Sequence, residues 1–182
     1  EKNELGGSTI YENNEFNKID NKTPSEWLKK EIEELKGIKN LEIKTRTSVA
    51  AYHQYNYLLA RENLTDHLEA KDKTNKIRQR LLKIRAKKVI LATGALERPL
   101  IFNNNDRPGI MLSSAVKKYS EFYGVACGSK NVFFTNNDSA YESAISLYNK
   151  GINVEAIIDI REQSESKIVK KVKEAGIKIY WS

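Results

Sequence analysis

Cysteine is almost missing from this chain. A single Cys127 among 182 residues excludes an internal disulfide and a Cys-x-x-Cys redox pair within the segment, and it fits a reducing, cytoplasmic setting. Histidine is nearly as scarce. His53 and His67 are the two, and neither has a Cys or Asp cluster at metal-ligand spacing, which leaves them packing or surface roles and no metal site. No apolar run approaches the roughly 20 residues that span a bilayer, and no signal peptide is read, so no membrane partner is expected. No Ser/His/Asp or paired-carboxylate arrangement stands out either, and no catalytic residue is expected in the segment. A start at Glu1 rather than Met, and an end at Tyr180-Trp181-Ser182 just after an apolar run, read as a piece of a longer protein.

Positive charge is what the chain has in excess: 31 Lys and Arg against 24 Asp and Glu, a net +7. The lysines are scattered among glutamates, as in KKEIEELKGIK. The longest basic cluster, KIRQRLLKIRAKK, has apolar residues interleaved, as a strand with one wet face would. A nucleic-acid partner is therefore not expected.

Along the chain, Thr23-Pro24-Ser25-Glu26 spells a helix start: Thr23 caps, Pro24 suits the first helical position and Glu26 completes a capping box. Trp27, Leu28, Ile32 and Leu35 form an apolar stripe that stops at Gly37, and this helix is expected to pack on a sheet. The period then shortens. LEIKTRTSVAAYHQ, NYLLARENLTDHL and QRLLKIRAKKVILA read as three strands, the first two joined near Gln54-Tyr55-Asn56, with EAKDKTNKIR as an exposed loop. An antiparallel meander inserted before an apolar strand Val89–Ala92 is the simplest arrangement. After a turn-rich linker, ALERPLIFNNNDRPG, strands and helices alternate. Helices are expected at Ser113–Tyr123, Ser139–Lys150 and Glu162–Glu174, with strands at Asn131–Thr135, Val154–Ile158 and Ile177–Tyr180. That spacing implies a parallel sheet, half of a doubly wound domain. The fold class is thus α/β with two Rossmann-like units. The first, 1–102, is truncated at its N-terminus and carries the meander; the second is 103–182.

Two glycine motifs invite a cofactor. In Glu1-Lys2-Asn3-Glu4-Leu5-Gly6-Gly7, an acid at or just before Glu1 would bind ribose hydroxyls, and Gly6-Gly7 would let the chain pass close to a nucleotide; a plain loop turn is the alternative. In Val89-Ile90-Leu91-Ala92-Thr93-Gly94-Ala95, Ala92, Thr93 and Gly94 are small residues where backbone would lie against a cofactor, or simply a strand followed by a turn. Thr47, Ser48 and Val49 stand where backbone groups could hydrogen-bond adenine, or form an ordinary edge strand. Arg98 could salt-bridge a phosphate, or pair with Glu97 or Asp106. Cys127 reads as an inert small residue, and Tyr52, Tyr55 and Tyr57 as cross-strand packing.

The order of nucleotide domain, meander, Ala-Thr-Gly, linker and second unit resembles the flavoproteins with two dinucleotide-binding domains. Within them, ATGALERPLIFNNNDRPGIMLSSAVKKY followed by VFFTNNDSAYESA is similar to the α-subunit family of heterotetrameric sarcosine oxidases. PSEW, TRTSV, NYL, LTDHL, RQRLLKIRAKKVILATGA and Asp159–Arg161 extend the likeness over nearly the whole segment. The resemblance implies oxidative demethylation of sarcosine to glycine, with folate as a possible acceptor of the one-carbon unit. It implies NAD in the first nucleotide domain, FAD on a β subunit, FMN near the subunit interface, and γ and δ partners besides. Related subunits would act on proline, glycine or an opine, and a non-catalytic scaffold subunit is a further alternative.

The turn of the second unit, Thr135-Asn136-Asn137-Asp138-Ser139, contains no glycine. A working dinucleotide turn needs glycines for tightness, for approach of the pyrophosphate and for helix packing. Here Thr135 and Asn137 hold the first two positions, and only Ala140 keeps a small residue. Asp138 puts a carboxylate at the helix N-terminus, where it is expected to cap the helix. Asp159 falls about where a ribose acid belongs. The expectation is a Rossmann scaffold that does not bind a dinucleotide in the usual way.

Overall fold

The computed structural model describes residues 2–12 and 18–182. By internal contacts the chain divides into two compact units, Glu1–Gly94 and Ala95–Ser182.

In the first unit a short 3-10 turn, Gly7–Ile10, is followed by helix α1, Pro24–Lys36. The capping box is present in full. The Glu26 amide donates to Thr23 Oγ1 at 3.3 Å, and the Thr23 amide donates to Glu26 Oε2 at 3.1 Å. Pro24, which has no amide hydrogen to satisfy, takes the first helical position. One expectation is corrected: α1 packs chiefly on the 3-10 turn rather than on a sheet. Leu28 is drawn onto the glycine that opens that turn.

The meander is as expected: β1 Thr47–His53, β2 Tyr57–Asn63 and β3 Gln79–Arg85, antiparallel in that order. Tyr55 and Asn56 take left-handed φ values of 59° and 52° and close the β1–β2 turn. Leu58 and Ala60 of β2, the central strand, are its buried apolar residues. A bulge between Val49 and Ala51 shifts the register, so that Ser48 stands opposite Arg61 while His53 stands opposite Tyr57. Within the polar EAKDKTNKIR stretch, Ala70–Lys73 forms one helical turn, α2. Tyr52 and Tyr55 remain exposed and do not stack on one another; the cross-strand ring contact is His53 with Tyr57, at 5.9 Å.

Val89–Ala92 does not form the expected strand. β3 ends at Arg85, the following residues are irregular, and Ile90 is 91% exposed. A strand needs a neighbour to take its backbone hydrogen bonds, and no described segment pairs with this one.

The second unit runs α3 Ser113–Tyr123, β4 Asn131–Thr135, α4 Ser139–Asn149, β5 Val154–Asp159, α5 Lys167–Glu174 and β6 Lys178–Trp181. β4 pairs with β5 and β5 with β6, all parallel. The core gathers Tyr141, Ala144 and Leu147 of α4, Phe133 and Ile157 of the sheet, and Val169 and Val172 of α5. The alternate sheet residues Val132, Phe134, Ile158 and Tyr180 point away from this core and are exposed. Helix α5 starts five residues later than expected. Arg161 is pulled back onto Asp159, and Ser166 is still extended, so helical geometry begins only at Lys167.

Candidate functional site

On one face of the meander, the start of β1 and the residues after Glu1 enclose an open depression of about 460 Å³. Two backbone hydrogen bonds build it. The Arg46 amide donates to the Lys2 carbonyl at 2.8 Å, and the Asn63 amide donates to the Arg46 carbonyl at 3.0 Å. Lys2, Asn3 and Arg46 line one side, Ser48 and its cross-strand partner Arg61 another, and Asn63, Asp66 and His67 the rest. Asp66 is already committed. Its carboxylate accepts from Arg78 Nε at 2.6 Å and Asn63 Nδ2 at 2.8 Å, and the Arg78 bond, against a smaller opposing effect of desolvation, holds its carboxyl below the ordinary value. The depression therefore presents cations, a hydroxyl and amide groups.

The expected cofactor residues distribute unevenly around it. Ser48 lines the depression; Thr47 beside it donates its hydroxyl to the Thr45 carbonyl at 2.9 Å, and Val49 is exposed. Gly6 has φ 112°, and a Cβ there would stand 2.3 Å from Leu28 Cδ2, so its close approach is to α1. Gly7, at φ 60°, opens onto free space, and a methyl group added to it would meet nothing within 4 Å. Ala92, Thr93 and Gly94 lie in the exposed irregular stretch after β3 and do not line the depression. Glu1 lies outside the described residues. The sequence reading missed Lys2, Arg46 and Arg61. Its one available signal was the Thr-Arg-Thr-Ser run that places Arg46 two residues before Ser48.

In the second unit the glycine-free turn satisfies itself. The Asn137 amide donates to Thr135 Oγ1 at 3.1 Å, and Asn137 Oδ1 accepts from the Ser139 amide at 3.0 Å and the Ser139 hydroxyl at 2.6 Å. Donors that would face a phosphate are thus spent on the turn's own side chains. Asp138 makes no side-chain cap, contrary to expectation; its Oδ1 accepts from Arg161 Nη2 at 2.8 Å instead. Asp159 is also withdrawn from any ribose. It is 1% exposed and accepts from the Tyr141 hydroxyl at 2.8 Å and from Arg161 Nη2 at 2.7 Å. Burial pushes its carboxyl up, but the bonds from Arg161 and Tyr141 outweigh this and leave it below its ordinary value. Burial, and then the bond to Asp159, push the Tyr141 phenol up.

Glu97 does what Asp138 does not. Its carboxylate accepts from the Ser113 amide at 3.2 Å, the Ser113 hydroxyl at 2.8 Å and the Ser114 amide at 2.8 Å, closing the N-terminus of α3. Arg98 has no ion pair among the described residues, so neither Glu97 nor Asp106 is its partner.

No family model matches the chain. Curated proteins do. Sarcosine oxidase subunit alpha from Corynebacterium sp. strain P-1 is 38% identical over 179 residues, covering 98% of this chain and 18% of the relative. The subunit alpha of Corynebacterium sp. strain U-96 is 40% identical over 162 residues, 89% of this chain and 16% of the relative. That of Rhizobium meliloti strain 1021 is 37% identical over 143 residues, 79% of this chain and 14% of the relative. The chain thus spans less than a fifth of the length of the relatives it matches. Among solved structures, L-proline dehydrogenase from P. horikoshii shares the fold, with a TM-score of 0.64 and 24% identity over 91% of this chain and 31% of that one. Read together with the α/β architecture and its antiparallel meander, these matches show that the chain is similar, over most of its length, to one segment of sarcosine oxidase α subunits.

Proposed function

We propose that this segment is the nucleotide-carrying, flavin-adjacent part of a sarcosine oxidase α subunit. In that role it supports oxidative demethylation of sarcosine to glycine. The observation that carries the reading is the 38% identity sustained over 98% of the chain. On this reading both units are Rossmann-like, and only the first binds a dinucleotide, NAD.

The residues present in the first unit suit the adenosine end of such a ligand. Ser48 and Asn3 offer hydrogen-bonding groups beside an open depression, and Gly7 leaves room where a side chain would obstruct. Thr47, Ser48 and Val49 would take adenine and Gly7 would let the ribose approach, while Ala92, Thr93 and Gly94, which lie outside the depression, would face another part of the cofactor. When bound, NAD and the complex's FAD and FMN supply the electron-accepting chemistry. The segment binds and orients, and contributes no catalytic side chain. The second unit does not fit a dinucleotide, because its turn donors are spent internally and Asp138 carries negative charge to the helix N-terminus. Its part is structural, toward a flavin or a partner subunit of β, γ or δ type. Folate would be handled outside this segment.

The test is to purify the native full-length subunit with its partners, extract with acid, and identify released nucleotide by chromatography. NAD in the extract, together with sarcosine-dependent peroxide formation, is the expected result. An extract without dinucleotide would instead favour the scaffold alternative. The related reading, a dehydrogenase subunit for proline, glycine or an opine, keeps the same fold; turnover with those amines and none with sarcosine would select it. Identities of 37–40% to sarcosine oxidase subunits support the first reading over it.

A further inference from the structure

Three cations converge on the meander depression without a carboxylate of their own. Lys2, Arg46 and Arg61 all line it, and none is in an ion pair among the described residues. The carboxylate that shares the depression, Asp66, is matched by Arg78 at 2.6 Å. The contrast with the opposite face of the same strand is informative. There Glu62, the next residue along β2, draws in both Lys44 and Arg80 at 3.6 Å. Successive strand residues point to opposite faces, so one face of the meander neutralises its cations and the other collects them. Like charges gathered without a counter-charge repel one another, and an anion relieves that repulsion.

The backbone adds a second, independent sign. Arg46 is held at φ 50°, a left-handed conformation that is unfavourable for a non-glycine residue. It is kept there by the hydrogen bonds to Lys2 and Asn63. Strain of this kind, over-determined by its surroundings, is found preferentially where a ligand is clamped. The Ser48 hydroxyl lies in the same depression as the arginine forks, which match tetrahedral oxyanions in two-point contacts.

We propose that this depression is a phosphate-monoester subsite, formed by Lys2, Arg46 and Arg61 with Ser48. The phosphate could be carried by a ligand or be free in solution. The first source rests on the reading of this unit as a dinucleotide site with adenine at Thr47–Val49. A phosphate on the adenosine ribose then falls to the cations beside Ser48, and the unit accepts the 2′-phosphorylated dinucleotide, NADP, as well as NAD. The second source is inorganic phosphate, independent of any nucleotide.

Calorimetric titration of the full-length complex, after its bound nucleotide has been removed, with NAD, NADP and inorganic phosphate separates these sources. The variants are Arg61→Gln, at an exposed strand position that leaves the fold undisturbed, and Lys2→Gln. For the nucleotide source, NADP binds about tenfold or more tighter than NAD, as one or two charge-assisted contacts would give. Each variant loses that advantage and keeps NAD affinity, and added salt erodes it. For the free source, phosphate binds the wild-type complex and not the variants, whatever the dinucleotides do. If NAD binds while neither NADP nor phosphate gains anything from Lys2 or Arg61, the proposal is wrong and the dinucleotide reading survives. If neither dinucleotide binds but phosphate does so through Arg61, the dinucleotide reading fails and the subsite stands.

Discussion

Asp159 accepts from the Tyr141 hydroxyl and from three donors of Arg161, its amide, Nε and Nη2, while only 1% exposed. Replacing it by Ala strands the Tyr141 hydroxyl and leaves Arg161 with Asp138 alone. The expected cost is about 2–3 kcal/mol, at the low end for a buried pair because the Arg161 side chain is 32% exposed. Since the folded state holds this carboxyl below its ordinary value, the unfolded chain binds the proton more readily. The stabilisation is therefore complete above the unfolded value of about 4 and is lost as pH falls through the lower folded value. Asp159→Asn should flatten the acid limb of a stability–pH profile measured by denaturant unfolding. Gly6 and Gly7 offer a contrast at the same scale. Gly6→Ala meets Leu28 at an unfavourable φ of 112°, whereas Gly7→Ala at φ 60° enters open space. Thermal unfolding should show about 1–3 kcal/mol for the first and about 1 kcal/mol for the second.

Among elements, α1 and α3 begin by different devices, and each can be removed singly. Thr23→Ala removes the hydroxyl that accepts from the Glu26 amide, leaves the amide of residue 23 able to donate to Glu26, and should cost about 1 kcal/mol, read as faster hydrogen exchange in the first turn of α1. The cap of α3 comes from Glu97, sixteen residues before Ser113. Glu97→Ala should fray α3 at Ser113 and Ser114 while α4 keeps its protection. Burial works against the Glu97 charge, but the bonds from Ser114 and Ser113 hold its carboxyl below the ordinary value, so acid below pH of about 4 should loosen the same two amides in the wild type. A near-local box such as Thr23–Glu26 is legible in sequence because donor and acceptor lie three residues apart. The Glu97 cap is not, because the linker between it and Ser113 carries no pattern that fixes where it returns.

At the scale of the whole molecule, the excess of 31 basic over 24 acidic residues is not expected to form a nucleic-acid surface. Many lysines are answered locally, as Lys36 is by Glu33 at 2.7 Å and Lys150 by Glu121 at 2.9 Å. The protein should leave a DNA column at low salt; retention that falls steeply with log salt would contradict this. Among the described residues no helix is long and apolar enough to cross a membrane. Most of the second unit was legible from the sequence: α3 and β4 have the boundaries that the apolar periodicity predicts. The site in the first unit was not. Ser48 was marked by its place at the start of the meander, but Arg61 becomes its neighbour only through the bulge between Val49 and Ala51. Without that one-residue shift, the register set at the His53–Tyr57 turn would have placed Val49 opposite Arg61 and Ser48 opposite Glu62.

By itself, then, the sequence determined what repeats or closes within a few residues: the Thr23–Glu26 capping box, the turn near Gln54-Tyr55-Asn56, the alternation of strands and helices, and the loss of glycine from the Thr135–Ser139 turn. Tertiary structure alone decided where charged side chains found their partners. Arg161 drew Asp138 away from capping α4, Leu28 claimed the space at Gly6, and the meander's register gathered Lys2, Arg46 and Arg61 around one depression. The reason is that backbone periodicity is a local property. Long side chains choose among several competing partners, and that competition is settled only once distant segments are side by side.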